Sequence, residues 1–506
     1  MRIAIVGSGI SGIAAATVLL RFGHEVVLFE RSEQIGGVWA QAAYPEVRLQ
    51  NLASQYHLSE FPWPFEPDPN PSAEQILRYL DAAIAHYELD VRTEHEVVAL
   101  EPSDTGWHAK VRHRGAVETH AFDFVVLAVG QYTQPKETHV FPGRDEFEGE
   151  LVTDRQIRDL DRLAGKRVAI VGFGKTAVDL AAFAAARGSR VEHIFRTPRW
   201  LIPLHIAGLL HYTFALFTRF GSVMIPAWDH PTRGERFLHT KLAGLVRGFW
   251  AAISSVVLRQ YRSAARGLGP EARARIRVLE PEHTLVDDMR SASALAPEGY
   301  YRAVAKGEIT PHRGTLSRFE HDGVVLADGT KIPCEMVVLC LGSGSPVFPF
   351  MPPEYRALLE AEPDGVQLYR HVIHPQIPRL AIAGYNHGFF HVPAAEVGTL
   401  WVAAMLEGDL ELPSRDAMEA CIEHVRAWKR EHVNFEPSRS CAVNTRYQQY
   451  LDILLDELGV DTRRKSNPLA EWFTRYVSSD YAGVIDEYQR NQAKHGRPRQ
   501  PSARMT

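Results

Sequence analysis

Short, unbroken apolar runs alternate with longer helical stretches along most of the chain. Residues 2–6 (RIAIV), 25–29 (EVVLF), 124–129, 167–171 (RVAIV), 191–195, 336–341 and 379–383 (RLAIA) are such runs. Without polar alternation they predict parallel strands buried on both faces. The runs Ile13–Leu20 and Val178–Ala186, each following one of these strands, predict helices. Strands alternating with helices predict an α/β fold. Residues 66–71 (EPDPNP) read as a proline-rich loop, and Ser72-Ala73-Glu74-Gln75 as a capping box that opens a helix to about residue 88.

Two of the strand–helix junctions carry glycine motifs. Gly7-Ser8-Gly9-Ile10-Ser11-Gly12 places one glycine at the tight turn, one where a pyrophosphate approaches the backbone, and one where helix and strand pack closely. Glu30 ends the next strand, 23 residues after Gly7. An acid there accepts hydrogen bonds from a ribose diol and repels a 2′-phosphate. The second copy is Gly172-Phe173-Gly174-Lys175-Thr176-Ala177, with alanine in the third glycine position. The equivalent of Glu30 is Arg196, 24 residues after Gly172, with Arg199 close by. Arginine suits an adenosine 2′-phosphate, although a purely structural Arg196 stays open. Opposite charges at equivalent places predict two different dinucleotides, FAD at the first motif and NADPH at the second.

The expected architecture is therefore α/β, with two Rossmann-like dinucleotide-binding domains, the second inserted in the first. The expected division is 1–150 for the first part of the FAD domain and 151–330 for the NADPH domain. Residues 331–490 would return to the FAD domain and add C-terminal helices, and 491–506 would form a disordered basic tail. At about 150 residues per domain, 506 residues allow three such units.

Composition removes several alternatives. Lys and Arg total 56 against 61 Asp and Glu, a net charge of −5, which argues against a dedicated nucleic-acid binder. Cys334, Cys340, Cys421 and Cys441 form no CxxC cluster, which disfavours a disulfide scaffold, a thiolate zinc site and a dithiol redox centre. The pairs His371/His374 and His387/His391 have ligand-like spacing but no supporting acid or cysteine cluster, so no metal is expected. The cysteine usage, and a glycine motif reached within seven residues of Met1, give the expectation of a cytoplasmic protein without a signal peptide.

Between Trp200 and about residue 290 the second domain carries a mostly helical, apolar insertion. Residues 201–218 contain no Asp, Glu, Lys or Arg, and 242–258 (LAGLVRGFWAAISSVVL) are nearly as apolar. Three readings stay open: packed core helices, a tunnel or lid for a lipophilic substrate, or a peripheral membrane contact through 201–258. A homodimer is also left open.

Further motifs carry a family resemblance. Gly36-Gly37-Val38-Trp39, Tyr44-Pro45-Glu46-Val47-Arg48 and Ser59-Glu60-Phe61-Pro62-Trp63-Pro64 follow the first motif. Phe348-Pro349-Phe350, Leu368-Tyr369-Arg370, Glu396 ahead of Trp401, and Leu412-Pro413-Ser414 follow the second. In this order they resemble the class B flavoprotein monooxygenases, most closely the flavin-containing monooxygenases, with elements shared by Baeyer–Villiger monooxygenases. The resemblance implies reduction of FAD by NADPH, a C4a-(hydro)peroxyflavin formed with O2, and oxygenation of nitrogen or sulfur in a small lipophilic substrate. Baeyer–Villiger oxygenation of a ketone is the alternative. A non-catalytic flavin-bound, membrane-associated protein is a reading from a different class.

The resemblance also nominates residues. Gly37 and Trp39 would line the FAD site, with Gly130 and Gly342 in the linkers Ala128-Val129-Gly130 and Cys340-Leu341-Gly342. Gly388 and His391 fall in the loop 384–391 (GYNHGFFH), which would cover the flavin ring. Asn51 and Gln50 are both candidates for the group that supports oxygen activation, and Arg290 for the arginine of ketone chemistry. The linker Phe147-Glu148-Gly149 departs from the family pattern, with Thr153 where a histidine is usual.

Overall fold

The computed structural model describes residues 1–131, 134–136, 141–226, 231–291, 294–386, 388–433, 443 and 446–495. Two five-stranded, fully parallel sheets organise the chain. The first runs Leu380–Ile382, Phe124–Leu127, Arg2–Val6, Glu25–Phe29, Asp90–Arg92. The second runs Ile309–Arg313, Arg190–Phe195, Arg167–Val171, Met336–Leu339, Glu150–Thr153. All seven predicted strands lie in these sheets. Ile3, Ala4, Ile5, Val168, Ala169 and Ile170 are fully buried, as strands covered on both faces require.

The two sheets repeat one plan. In each, the glycine-motif strand is central and is flanked on one side by the strand that its helix returns to. On its other side lies a strand reached through a three-stranded antiparallel meander. The meanders are Glu96–Pro102, Trp107–His113, Ala116–Phe122 and Leu316–Glu320, Gly323–Leu326, Lys331–Pro333. The outermost strand distinguishes them. Leu380–Ile382 closes the first sheet only after the chain has built the second, so the second unit is an insertion in the first.

Two expected boundaries move. Lys331–Pro333 and Met336–Leu339 belong to the second unit, so the return to the first lies beyond Leu339 rather than at residue 331. The helix Val484–His495 covers the first residues of the expected disordered tail, and 496–506 lie outside the described residues. The capping box is present, with Ser72 Oγ accepting from Gln75 N at 3.2 Å and Gln75 Oε1 accepting from Ser72 N at 3.1 Å. Its helix, Ala73–His86, ends two residues before the expected stop.

The insertion is helical beyond residue 213, but its uncharged stretch 201–218 is not one element. It splits into Leu201–Ile202, the hairpin His205–Ile206/Leu210–His211 and the short helix Thr213–Leu216. The longer helices are Arg233–Lys241, Ala243–Ser263 and Gly269–Val278. No single described helix is long and apolar enough to cross a membrane. Arg233–Lys241 and Ala243–Ser263 reach that composition only together, and they meet at 76°. The insertion is tied to the C-terminal helices by the buried pair of Arg446 with Glu235 and by the partly buried Arg219 with Asp452 and Glu471.

Candidate functional site: two nucleotide cradles and the loop between them

At the first motif, Gly7 has φ of +108°, and a Cβ there would lie 2.5 Å from Ala128 O. A Cβ on Gly12 would lie 2.1 Å from Gly7 O, so helix and strand approach too closely for a side chain. The helix Ile10–Arg21 begins with no side-chain cap, leaving its first-turn N–H groups directed at a ligand. Gly37 faces Gly9, its added Cβ falling 3.2 Å from Gly9 Cα, so the Gly36-Gly37 turn lies against the motif. Glu30 is buried. Its Oε2 accepts from Ser8 N and Ser8 Oγ, each at 3.0 Å, and its Oε1 from Ser32 N at 3.0 Å. A carboxylate offers about four acceptor positions, so Oε1 keeps one for a ribose hydroxyl. This cradle fits an adenine dinucleotide.

The helix His391–Leu406 begins beside that helix. Ser11 Oγ and His391 Nε2 share a hydrogen bond of 2.9 Å, and a Cβ on Gly384 would lie 2.4 Å from Ser11 Oγ. Burial holds the His391 imidazole down to about 4, so it is neutral at physiological pH. Asn51 Nδ2 donates to Phe389 O, joining the first domain to the loop that carries Gly388. Gln50 points elsewhere. Its Oε1 accepts from Leu295 N at 2.8 Å, and its carbonyl accepts from Tyr212 OH. The structure thus separates the two candidates: Asn51 meets the 384–391 loop, and Gln50 meets the insertion. Trp39 donates its indole N–H to Tyr56 OH at 2.9 Å and meets that ring edge-on. Gly130 and Gly342 both adopt positive φ, +73° and +81°, at the ends of equivalent strands of the two sheets.

At the second motif, Gly172 has φ of +131°, with an added Cβ 2.3 Å from Cys340 O, whereas one on Gly174 would meet nothing within 4 Å. Gly174 precedes an uncapped helix, Lys175–Ala186, and Ala177 is fully buried where the first motif needs glycine. Thr176 lies in the first turn of that helix. Arg196 is exposed just past the strand Arg190–Phe195 and forms no ion pair among the described residues. Arg199 is already committed to the buried Asp288 at 3.2 Å. A free guanidinium beside an open glycine turn fits a 2′-phosphorylated dinucleotide.

Sequence reasoning missed the link between the cradles. Tyr44 OH donates to Asp179 Oδ2 at 2.6 Å, and Lys175 Nζ pairs with the same carboxylate. Lys175, a cofactor-binding candidate within the second glycine motif, is therefore held by a buried acid four residues along its helix. That i, i+4 spacing was readable; the tyrosine from the other domain was not. Also missed was His193. Its Nε2 donates to Gly172 O at 2.7 Å and its Nδ1 accepts from Tyr300 OH at 2.8 Å, with burial lowering the ring to about 4. Arg290 donates to His432 O at 3.3 Å and lies 5.5 Å over the Trp428 ring, an anchor on the helix Arg415–His432. His387 and Cys441 lie outside the described residues.

Comparison with known proteins agrees with this geometry. A family model described as flavin-binding monooxygenase-like matches residues 1–233 and 299–467. The gap contains Arg290. A probable flavin-containing monooxygenase 1 of Arabidopsis thaliana is 29% identical over 525 residues, covering 95% of this chain and 96% of the relative. The S-allyl-L-cysteine S-oxygenase of Allium sativum superposes with a TM-score of 0.62 at 19% identity, covering 100% of this chain and 95% of the other. An open crystal structure of cyclohexanone monooxygenase gives 0.66 at 17% identity, covering 90% and 97%. With two parallel-sheet cradles, opposite charges at equivalent places beside them and a family match across most of its length, the chain belongs to the flavin-binding monooxygenase-like family and is a flavin-dependent monooxygenase.

Proposed function

We propose that the chain oxygenates a nitrogen or sulfur atom of a small lipophilic substrate, using FAD, NADPH and O2. The observation that carries the cofactor assignment is the contrast between buried Glu30 at the first cradle and exposed Arg196 at the second. When bound, FAD supplies the acceptor for the NADPH hydride and the centre at which dioxygen is activated. The overall balance is one NADPH, one proton, one O2 and one substrate giving oxygenated product, NADP⁺ and water.

The residues divide the work. Gly7, Gly9, Gly12 and Glu30 seat the dinucleotide, while Gly172, Gly174, Thr176 and Arg196 seat the nicotinamide cofactor. Asn51 spends one N–H on Phe389 O, which leaves its second N–H and its carbonyl for a ligand at the 388–391 loop. Around that loop, Phe217 packs on Phe389 and Phe390 at centroid distances of 6.1 and 6.3 Å, and Tyr447 backs both Phe217 and Phe390. This aromatic wall excludes water, which the chemistry needs if activated oxygen is not to escape as peroxide. A neutral His391 keeps one N–H donor and carries no imidazolium proton to give up there at neutral pH.

Nitrogen or sulfur oxygenation is favoured over the ketone reaction by Arg290, whose guanidinium is anchored on Trp428 and His432 in a segment that the family match skips. The test is product analysis with methyl phenyl sulfide and cyclohexanone supplied in parallel with NADPH. Sulfoxide without lactone supports the assignment; lactone as the main product overturns it.

A further inference from the structure

The two glycine motifs differ in how they place the carbonyl of their first glycine. At the first, Gly7 O lies against Gly12, where a Cβ would come within 2.1 Å of it. At the second, Ala177 carries that Cβ and is fully buried, so Gly172 O cannot take the same place. It turns instead to His193, whose Nε2 donates to it at 2.7 Å, and φ changes from +108° at Gly7 to +131° at Gly172. Strand register puts Leu28 where His193 stands. Ile5 pairs with Leu28 just before Gly7, and Ile170 pairs with His193 just before Gly172. The first cradle thus combines glycine with leucine, and the second alanine with histidine. The imidazole is itself fixed. A carbonyl only accepts, so Nε2 carries the proton and Nδ1 accepts from the fully buried Tyr300 OH at 2.8 Å. The Phe173 ring stacks on the imidazole with centroids 5.4 Å apart and planes 2° from parallel.

We propose that His193, backed by Tyr300, is a positioning residue for the nicotinamide cofactor and replaces, at the second motif, the third glycine of the first. The inference rests on the assignment of NADPH to that cradle. In a trans peptide the C=O and the following N–H point in opposite directions, and no cis peptide occurs among the described residues. His193 is fully buried, so holding Gly172 O against it turns the Phe173 N–H towards the open side of the turn. That side has room, since a Cβ on Gly174 would meet nothing within 4 Å. At the first motif the corresponding N–H, that of Ser8, donates to Glu30 Oε2 at 3.0 Å. The second motif has Arg196 in place of that acid, which leaves the Phe173 N–H for an anionic ligand. Without a donor at position 193 the Gly172 peptide is free to rotate, and its carbonyl would then face the cofactor phosphates and repel them.

The test measures NADP⁺ binding to the oxidised, FAD-loaded protein by isothermal titration calorimetry. Flavin content and far-ultraviolet circular dichroism serve as folding controls. His193→Leu copies the residue of the first cradle and should weaken NADP⁺ about five- to tenfold, with flavin content unchanged. Adding Ala177→Gly to His193→Leu should restore the affinity to within about twofold of wild type, because the carbonyl regains its place against the helix. A merely structural histidine gives the opposite sign, since glycine is the weaker helix former and would add to the loss. If His193→Leu fails the folding controls, Tyr300→Phe decides, with a loss of about two- to threefold expected once the ring is no longer fixed. Wild-type affinity in the deciding variant, or a double variant that binds no tighter than His193→Leu, overturns the proposal. Wild-type protein that binds no NADP⁺ would overturn the cofactor assignment, and this proposal with it.

Discussion

Arg196 and Glu30 occupy equivalent places with opposite charge, and each can be tested through the ligand it selects. Arg196 meets no carboxylate among the described residues, so its guanidinium is available to a phosphate dianion, whereas Arg199 is held by Asp288. Hydrogen bonds to charged groups contribute about 1.5–3 kcal/mol. Arg196→Ala should therefore raise the KM for NADPH by roughly 10- to 100-fold while changing that for NADH little. Steady-state kinetics with both nucleotides checks this; equal effects on the two would remove the 2′-phosphate role. The glycines of both motifs were legible because their requirement is local, a positive φ or a close approach within a few residues. Tyr44 was legible only as part of a motif. Its partner Asp179 lies 135 residues away, and no pattern in sequence announces such a pair.

At the scale of elements, the loop 384–391 is held by a buried polar network. Asn386 Nδ2 donates to Tyr450 OH at 3.0 Å, and Tyr450 OH donates to Arg370 O at 2.8 Å. Arg370 pairs with Glu457 at 2.6 Å, and Trp401 Nε1 donates to Glu457 Oε2 at 2.8 Å. Arg370 and Glu457 are both buried, and removing one partner of such a pair costs about 3–5 kcal/mol. Glu457→Gln should lower the thermal transition and the flavin content together; an unchanged transition would show that the network does not hold the loop. The strands that sequence reading missed are also explained at this scale. Asp90–Arg92 and Ile309–Arg313 are edge strands, the first short and partly exposed and the second carrying Pro311, which an edge tolerates. Ala116–Phe122 is mostly exposed, so it lacks the apolar run that betrayed the central strands.

For the whole molecule, one contact between the two units passes through residues 41–48. Tyr44 meets Asp179, Arg187 pairs with Glu46, and Arg158 Nη2 donates to Gln41 O at 3.0 Å. Tyr44→Phe removes one donor from a buried carboxylate while leaving both cradles intact. The expected result is unchanged FAD content and roughly tenfold slower anaerobic flavin reduction by NADPH, equivalent to about 1.4 kcal/mol. Stopped-flow absorbance measures it, and a wild-type rate would leave Tyr44 a packing residue only.

Stability should also depend on pH in two opposed ways. His193 and His391 are lowered by burial to about 4, below the ordinary 6.5, so the unfolded chain binds more protons between those values. Their stabilisation is present above pH 6.5 and is lost as pH falls towards 4. Glu396 is pushed up by burial to about 8, despite Ser59 N and Oγ donating to it. Its contribution is full below the ordinary 4.5 and is lost as pH rises through 8. Glu396→Gln should therefore remove a decline in stability between about pH 4.5 and 8 and leave the slope of the profile unchanged above pH 8, as thermal denaturation from pH 4 to 9 would record.

The fold class and both cradles were readable from short-range pattern, whereas the domain boundary at Leu339 and the contact of Tyr300 with His193 arise from packing between distant segments. As a flavin-dependent monooxygenase, the chain must bring NADPH-derived electrons and molecular oxygen together at one centre and deliver a single oxygen atom to substrate. Its most direct test is turnover of methyl phenyl sulfide with NADPH under ¹⁸O₂. One labelled oxygen is expected in each sulfoxide, with NADPH consumed in equal amount and little hydrogen peroxide released. Unlabelled sulfoxide, or oxygen recovered wholly as hydrogen peroxide with no sulfoxide formed, would contradict it.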